Sequence, residues 1–330
     1  SMHYDQEQRE EVERVDDNKE YVAINKEIKV LDCCGLQCPG PIMKVHDSIC
    51  EMKEGEVLDL GEHKLKFFAA PMVHWPEVTV TYEETKKILF SSDAFGTFGT
   101  LNGNIFKDEV DFDTYYLAEM RRYYSNIVGK FGPQVQGALK KLSAIEIKMI
   151  VPLHGVIWRT KEDIDYLMDL YNKWSTYTPE KSGVLIVFGS MYGNTENIVD
   201  FIASKLAQKG VKDIRIIDVS KTHPSYIVGE AWKYSNLIVA APTYNMSLYL
   251  PMDTLLHDLA ELNFQNRKIS IIGNYTWASG AMKNMKSKFE NDFKKMEIIG
   301  EILDIKSTLK AEDINTIETF TDEIINSLKN

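Results

Sequence analysis

Residues 184–196 read Val-Leu-Ile-Val-Phe-Gly-Ser-Met-Tyr-Gly-Asn-Thr-Glu, an apolar strand followed by a hydroxyl-rich loop and the start of a helix. The backbone N–H groups and hydroxyls of such a loop can surround a phosphate, and the helix N-terminus adds partial positive charge. The loop lacks the lysine pattern of nucleoside triphosphatases and the glycine pattern of dinucleotide folds, so it suits a terminal monophosphate. The alternative is that Ser190 and Thr195 merely cap the helix.

The sequence around this loop alternates regularly between strands and helices. Buried strands joined by crossover helices imply parallel pairing with right-handed connections. The predicted fold class is therefore α/β, with a doubly wound parallel five-stranded sheet that binds its ligand at the carboxyl ends of the strands. The predicted strands are 184–188, 214–219, 237–241, 269–273 and 298–305, and the predicted helices are 195–209, 251–262, 281–295 and 311–328.

Two further loops follow the third and fourth of these strands. They read Pro242-Thr243-Tyr244-Asn245 and Asn274-Tyr275-Thr276-Trp277-Ala278-Ser279-Gly280. Their aromatic rings and amides suit a flat heteroaromatic ligand, which needs stacking and edge hydrogen bonds. FMN is such a ligand and carries one phosphate. The residues predicted to bind it are Ser190, Met191, Tyr192, Gly193, Asn194, Thr195, Pro242, Thr243, Tyr244, Asn245, Asn274, Tyr275, Thr276, Trp277 and Gly280.

Together the three loops resemble those of a flavodoxin domain, specifically the one that ends the flavodiiron proteins. Residues 70–76, 90–96 and 152–159 read Ala-Pro-Met-Val-His-Trp-Pro, Phe-Ser-Ser-Asp-Ala-Phe-Gly and Pro-Leu-His-Gly-Val-Ile-Trp-Arg, and they resemble the second half of that family's metallo-β-lactamase-like domain. The resemblance implies an incomplete α+β domain over 58–178, followed by a flavodoxin-like domain over 179–330. The patterning in the first part predicts strands at 56–60, 65–70, 78–82, 87–91 and 147–151, and helices at 113–127, 134–142 and 161–174.

The same resemblance implies a metal site. In the family, the positions that correspond to His74, Asp93 and His154 bind a non-haem diiron centre, with the position of Asp93 as the bridging carboxylate. Imidazole and carboxylate suit iron and leave coordination positions open for O₂ or NO. The alternative for any single histidine is a structural role, but here each of the three residues lies inside a matching motif.

The family's other iron ligands lie in a His-x-Glu-x-Asp cluster about 70 residues before the position of His74. None of the seven histidines of this chain is followed by Glu at +2 and Asp at +4, and His3-x-Asp5-x-Glu7 has the carboxylates reversed. Two irons on three protein ligands need further ligands from a neighbouring chain or from the N-terminal segment. A single weakly held metal, or no metal, remains an alternative.

Residues 31–44 read Leu-Asp-Cys-Cys-Gly-Leu-Gln-Cys-Pro-Gly-Pro-Ile-Met-Lys and resemble the opening of the TusA/SirA sulfur-carrier family. The resemblance covers about 27–57 and implies that Cys38 accepts a persulfide, since a helix N-terminus stabilises a thiolate. A natural fusion, a rearranged gene and an assembled chimera are all compatible with this junction. Cys33 and Cys50 are interpreted as packing residues. A zinc site is disfavoured because Cys34-x-x-x-Cys38 has no second ligand pair.

Length, charge and cysteine use restrict the function further. The 330 residues suggest about two domains, and the formal charge of −11 disfavours binding to nucleic acid or to an anionic membrane surface. Residues 1–26 are interpreted as a charged tail. No apolar stretch has the length of a membrane span. All four cysteines lie within 33–50, which fits a reducing cytoplasm.

The leading hypothesis is an FMN-dependent oxidoreductase of flavodiiron type. It would take electrons from a small redox protein or a flavin reductase and pass them through FMN to non-haem iron, which reduces O₂ or NO. The resemblance implies a head-to-tail homodimer. The alternative is an FMN electron carrier or sulfur-relay protein in which the β-lactamase-like part is a non-catalytic remnant.

Overall fold

The computed structural model describes residues 57–59 and 62–329, which all lie within one compact unit, Lys53–Asn330. The charged tail predicted at 1–26 and the persulfide site predicted at Cys38 lie outside these residues. So does all of the TusA-like segment 27–57 except its last residue. Within the described residues, no helix is both long and apolar enough to cross a membrane.

The first part of the described chain forms a five-stranded sheet in the order β1-β2-β3-β4-β5. Neighbours are antiparallel except β4 and β5, which run parallel. The five strands predicted here are confirmed, with β1, β4 and β5 shorter than predicted and β2 and β3 shifted by one residue. The strands are β1 (Val57–Asp59), β2 (Lys64–Ala69), β3 (Thr79–Glu83), β4 (Ile88–Phe90) and β5 (Met149–Val151).

Four α-helices accompany this sheet: α1 (Phe112–Tyr115), α2 (Leu117–Tyr123), α3 (Gly132–Leu142) and α4 (Lys161–Ser175). The prediction of one helix over 113–127 was wrong in detail. Tyr116, at φ −121°, interrupts it, and a π-helical turn, Tyr124–Val128, follows α2. The π turn buries Tyr124, Ser125 and Val128.

The second part is a mostly parallel sheet in the order β7-β6-β8-β10, with β11 and β12 sharing the fifth position beside β10. The predicted doubly wound five-stranded sheet is confirmed. Its fifth strand is divided, however, because the chain turns at Gly300, where φ is +77°. The strands are β6 (Lys181–Phe188), β7 (Ile214–Asp218), β8 (Tyr234–Tyr244), β9 (Ser247–Leu248), β10 (Gln265–Tyr275), β11 (Lys294–Ile298) and β12 (Leu303–Lys306).

Five helices cover the two faces of this sheet. The predicted helix 281–295 ends early, because Lys294–Ile298 is strand β11, and 311–328 begins with a 3₁₀ turn. One helix, Pro224–Lys233, was missed although Pro224 stands in its first turn and Ile227, Val228, Ala231 and Trp232 have helical spacing. The helices are α5 (Asn194–Gln208), α6 (Pro224–Lys233), α7 (Leu250–Glu261), α8 (Ala281–Asn291) and α9 (Ile314–Leu328).

The two sheets share one packed core. α2 contacts α6 so closely that a Cβ on Gly229 would lie 3.2 Å from Cα of Arg122. The buried Arg121 guanidinium pairs with Glu180 and lies 3.5 Å from Glu230. The boundary predicted at 178/179 therefore separates two sheets but not two cores, and as a domain boundary it stays a prediction.

Arg267 of β10 binds the segment between α4 and β6, which joins the two sheets, through the backbone oxygen of Tyr177. Its guanidinium is buried, and burial lowers its pKa to about 9, so it stays charged at neutral pH. A buried cation must be satisfied by acceptors. The acceptors are the backbone oxygens of Tyr177, Ala231, Trp232, Gln265 and Asn266.

Candidate functional site

The loop after β6 has the geometry of a phosphate-binding loop. Gly193 takes a left-handed φ of +87° and forms the N-cap of α5, and no side chain caps that helix. The first N–H groups of a helix have no acceptor within the helix, so they remain available to an anion. A Cβ on Gly193 would meet nothing within 4 Å. The loop thus combines open space with uncapped donors, and it fits the phosphate of FMN.

Ser190 and Thr195 have different roles in this loop. Ser190 Oγ accepts the N–H of Gly193 at 3.1 Å and so closes the turn. Thr195 is buried, and its hydroxyl donates to Oδ1 of Asn274 at 3.4 Å. Asn274 in turn donates to the backbone oxygens of Ile305 and Ser307, each at 2.8 Å. Thr195 and Asn274 therefore connect the loop to β10 and to the end of β12 by hydrogen bonds.

The other two predicted loops are joined to each other. Thr243 Oγ1 accepts the N–H groups of Gly280 and Ala281 at 3.0 and 3.1 Å. A Cβ on Gly280 would lie 2.4 Å from the backbone oxygen of Met246, so glycine is required where the two loops meet. Pro242, Thr243 and Tyr244 belong to the end of β8 rather than to a loop, as Asn274 and Tyr275 belong to the end of β10.

Exposed rings surround the carboxyl edge of the second sheet. Tyr192 and Trp277 are 88% and 81% exposed, and Tyr244 is 40% exposed. Large aromatic side chains at such exposure suit a planar ligand that stacks on them. Met191, Asn245 and Thr276 are also exposed, while Asn194 and Tyr275 are half-buried and Pro242 is buried.

His74, Asp93 and His154 come together on the first sheet, although they are far apart in the sequence. Nε2 of His74 lies 3.3 Å from Oδ2 of Asp93, and Nε2 of His154 lies 3.7 Å from Oδ1. Each carboxylate oxygen thus faces one imidazole. Imidazole and carboxylate are ligand types that suit iron.

Two features fix the His154 imidazole. Its Nδ1 lies 2.8 Å from the backbone oxygen of Thr97. A carbonyl oxygen can only accept, so Nδ1 carries a proton, and Nε2 is the nitrogen that faces Asp93. On the other side, a Cβ on Gly96 would lie 2.3 Å from Cε1 of His154. Gly96 is therefore needed for this ring position.

Tyr123 packs against both histidines, and the sequence reasoning missed it. Its ring meets that of His154 edge-on at 4.8 Å between centroids and that of His74 at 6.3 Å, and its hydroxyl donates to the backbone oxygen of Asp93 at 3.3 Å. Burial, and then the charge of Asp93, raises the pKa of Tyr123, so the phenol stays neutral. No spacing in the sequence could have linked a residue of α2 to these loops.

The described residues do not complete a metal site. Within 57–59 and 62–329, no group of three or more His, Cys, Asp or Glu side chains is arranged so that it could hold a metal ion on its own. His74, Asp93 and His154 lie near one another but do not form such a group by themselves, and their role as metal ligands stays a prediction.

Two protein families match separate parts of the chain. ODP family beta lactamase matches residues 10–155, a range that includes the TusA-like segment, and flavodoxin matches residues 186–319. The anaerobic nitric oxide reductase flavorubredoxin of Aeromonas hydrophila is 30% identical over 242 residues, which are 72% of this chain and 48% of that protein. The chain spans about half the length of the curated relatives it matches.

Solved structures show the same fold. Rubredoxin oxygen:oxidoreductase of Desulfovibrio gigas has a TM-score of 0.76 at 24% identity, over 88% of this chain and 73% of that one. A variant of the flavo di-iron protein of Thermotoga maritima has a TM-score of 0.73 at 26% identity, over 84% and 67%. The chain therefore has the domain composition and the fold of the flavodiiron protein family, a β-lactamase-like part followed by a flavodoxin part.

Proposed function

We propose that this protein is an FMN-dependent oxidoreductase of flavodiiron type that passes electrons through FMN to non-haem iron, where O₂ or NO is reduced. The observation that carries the proposal is that both partial sites occur in one chain: an uncapped helix after Gly193, and a carboxylate, Asp93, that faces His74 and His154 with separate oxygens.

The chain's own residues bind and orient the flavin. Bound FMN supplies the storage and release of electrons. The N–H groups at the start of α5 hold its phosphate, with Ser190 closing the turn around Gly193. Tyr244, Trp277 and Tyr192 enclose the ring, and Thr243 keeps the two ring-facing segments together.

At the metal site the residues fix the ligand positions in advance. His74 and His154 would each supply one imidazole nitrogen to the iron and Asp93 would supply carboxylate oxygens, and the iron would supply the chemistry of O₂ or NO reduction. The Thr97 oxygen keeps the proton of His154 on Nδ1, and the ring of Tyr123 limits the movement of both imidazoles. Further ligands would come from a neighbouring chain or from the N-terminal segment.

The relatives indicate the kind of partner. Flavorubredoxin of Aeromonas hydrophila is named for anaerobic nitric oxide reduction, and the Desulfovibrio gigas protein for rubredoxin and oxygen. By analogy, a small redox protein or a flavin reductase would donate electrons to this chain. We further propose a homodimer that works in the cytoplasm.

The test is the ratio of iron to FMN, followed by anaerobic measurement of NO or O₂ consumption by the reduced protein. We expect bound FMN, bound iron and turnover. In Asp93→Asn the iron and the turnover should be lost while FMN stays, and Asp165→Asn, which changes an exposed pair with Lys161, serves as the matched control. Wild-type protein that binds FMN but neither holds iron nor consumes gas would remove the reductase proposal.

The second candidate is an FMN electron carrier or sulfur-relay protein. It is favoured by the missing His-x-Glu-x-Asp cluster, which leaves His74, Asp93 and His154 without the family's other ligands. This candidate predicts reversible FMN reduction, no stoichiometric iron, and a persulfide on Cys38 that mass spectrometry detects in wild-type protein and not in Cys38→Ser. If Cys38 accepts no sulfur, electron transfer alone is left.

A further inference from the structure

An apolar cavity lies directly behind the metal-ligand loops. It is lined by Val73, Ala94 and Phe95 from those loops and by Val135, Ala138 and Leu142 of α3. Val73 precedes His74 and Ala94 follows Asp93, so each loop presents a ligand on one side and an apolar side chain to the cavity on the other. The cavity is thus one layer of residues away from the ligands.

The size of the cavity restricts its contents. The cavity has a volume of about 20 Å³. A space of this kind holds about one small molecule, and cavities without polar partners stay free of water. Val73, Ala94 and Phe95 are almost fully buried, whereas Ala138 is half-buried and stands nearer the surface. The cavity therefore lies between α3 and the loops that carry His74 and Asp93.

The polar groups that border the cavity are already engaged. The Lys141 ammonium donates to the backbone oxygen of Ala69 at 2.9 Å. The Tyr171 hydroxyl accepts the N–H of Phe95 at 2.8 Å. Water entering here would have to give up hydrogen bonds of the bulk solvent, whereas an apolar gas gains by leaving water.

We propose that this cavity binds one molecule of a diatomic gas of low polarity and holds it beside the His74–Asp93–His154 cluster. The gas-binding step depends on the cavity alone. The role as a store of O₂ or NO for reduction rests on the proposed function.

Xenon is the probe for gas binding, because it enters dry apolar cavities and needs neither iron nor flavin. In the full-length protein with labelled methyl groups, xenon pressure should shift the resonances of Val73, Ala94 and Val135 in a saturable way. Ala138→Leu, which fills the cavity, should abolish these shifts. The matched control is Ala207→Leu, at an exposed position near the end of α5, and it should leave them unchanged.

Two outcomes overturn gas binding: wild-type resonances that do not saturate, or Ala138→Leu that keeps the wild-type shifts. If Ala138→Leu does not fold, Val135→Ile adds one methyl group to the same space and should weaken the shifts. In the active protein, Ala138→Leu should raise KM for the gas several-fold with kcat unchanged, and an unchanged KM contradicts the storage role. An inactive protein removes the storage role together with the proposed function, while the xenon result still decides gas binding.

Discussion

Gly96 leaves no room for a side chain beside His154: a Cβ at this position would lie 2.3 Å from Cε1 of the imidazole. The ring must therefore move if Gly96 acquires even one methyl group, and its hydrogen bond to Thr97 and its orientation towards Asp93 depend on that position. Gly96, which is not itself a predicted metal ligand, thus determines the position of His154, which is one.

We accordingly predict that Gly96→Ala lowers iron affinity by about 10- to 100-fold, the usual effect of disturbing the support of a metal ligand. FMN content should not change, because the flavin loops lie on the other sheet. Metal analysis and flavin absorbance on the same sample measure both.

Gly137→Ala is the control, since a Cβ on this exposed residue of α3 meets nothing within 4 Å. It should add about 0.5–1 kcal/mol of stability and leave iron unchanged. Equal iron content in both variants would contradict the prediction.

The left-handed conformation of Gly193 leads to a second prediction. Gly193→Ala strains the backbone by about 1–2 kcal/mol and should weaken FMN binding roughly tenfold, since about 1.4 kcal/mol corresponds to a factor of ten. Titration of the flavin-free protein with FMN, followed by flavin fluorescence, gives the affinity.

The chain offers a closely matched control at the other end of α5. Gly210 has φ +93°, against +87° at Gly193, and a Cβ there also meets nothing within 4 Å. Gly210→Ala should therefore lose similar stability with unchanged FMN affinity. Unchanged FMN affinity in both variants would contradict the assignment of Gly193 to the phosphate loop, and a similar loss in both would show that the effect is general destabilisation.

The buried ion pair between the two sheets provides a third prediction. Arg121 is 2% exposed and pairs with Glu180, whose carboxylate also accepts the indole N–H of Trp174 at 2.7 Å. Arg121→Met leaves this half-buried carboxylate without its cation and should lower the free energy of unfolding by about 3 kcal/mol, measured in urea. Arg121→Met with Glu180→Gln should recover part of the loss.

Lys161→Gln, which removes an exposed pair with Asp165, should change stability by less than about 1 kcal/mol. A loss no larger in Arg121→Met than in Lys161→Gln would refute the assignment.

A fourth prediction concerns pH. Lys205 of α5 and Lys209, the C-cap of that helix, contact Glu318 of α9 at 2.6 and 2.8 Å, and these contacts lower the pKa of Glu318 from 4.5 to about 2. Because the folded pKa lies below the ordinary one, the ionised carboxylate stabilises the fold above pH 4.5, and this stabilisation is lost as the pH falls from about 4.5 to about 2. Glu318→Gln should lower Tm at pH 7, and the difference from wild type should shrink across that range. A difference in Tm that is constant from pH 7 to pH 3 would show that the contact does not depend on this charge.

Strongly periodic segments could be predicted from the sequence, and short or bent ones could not. The buried strands β6, β8 and β10 are runs of apolar residues, so their type and order follow from periodicity and from the rule for parallel crossovers. α6 was missed because only ten residues form it, and the division into β11 and β12 depends on the turn at Gly300. The break at Tyr116 is set by packing in the core.

The site shows the same limits. The three motifs supplied His74, Asp93 and His154, and the structure brings these side chains together on neighbouring loops, while their role as metal ligands stays a prediction. The roles of Thr195 and Asn274 as buried supports could not be predicted. The sequence does not show whether a hydroxyl or an amide binds a ligand or another side chain. Tyr123 and Gly96 were missed for a related reason. Both matter because they lie next to His154 in the folded protein, although they are distant from it in the sequence.

The shared core has a calorimetric consequence. One continuous cluster of buried side chains includes Val80 and Trp158 of the first part together with Trp232 and Leu255 of the second. We expect the two parts to absorb heat in a single cooperative peak, because neither can lose its packing alone. Saturating the flavin pocket would then protect the imidazole loops from thermal opening as well, since a ligand that binds only the native state stabilises everything that unfolds with it.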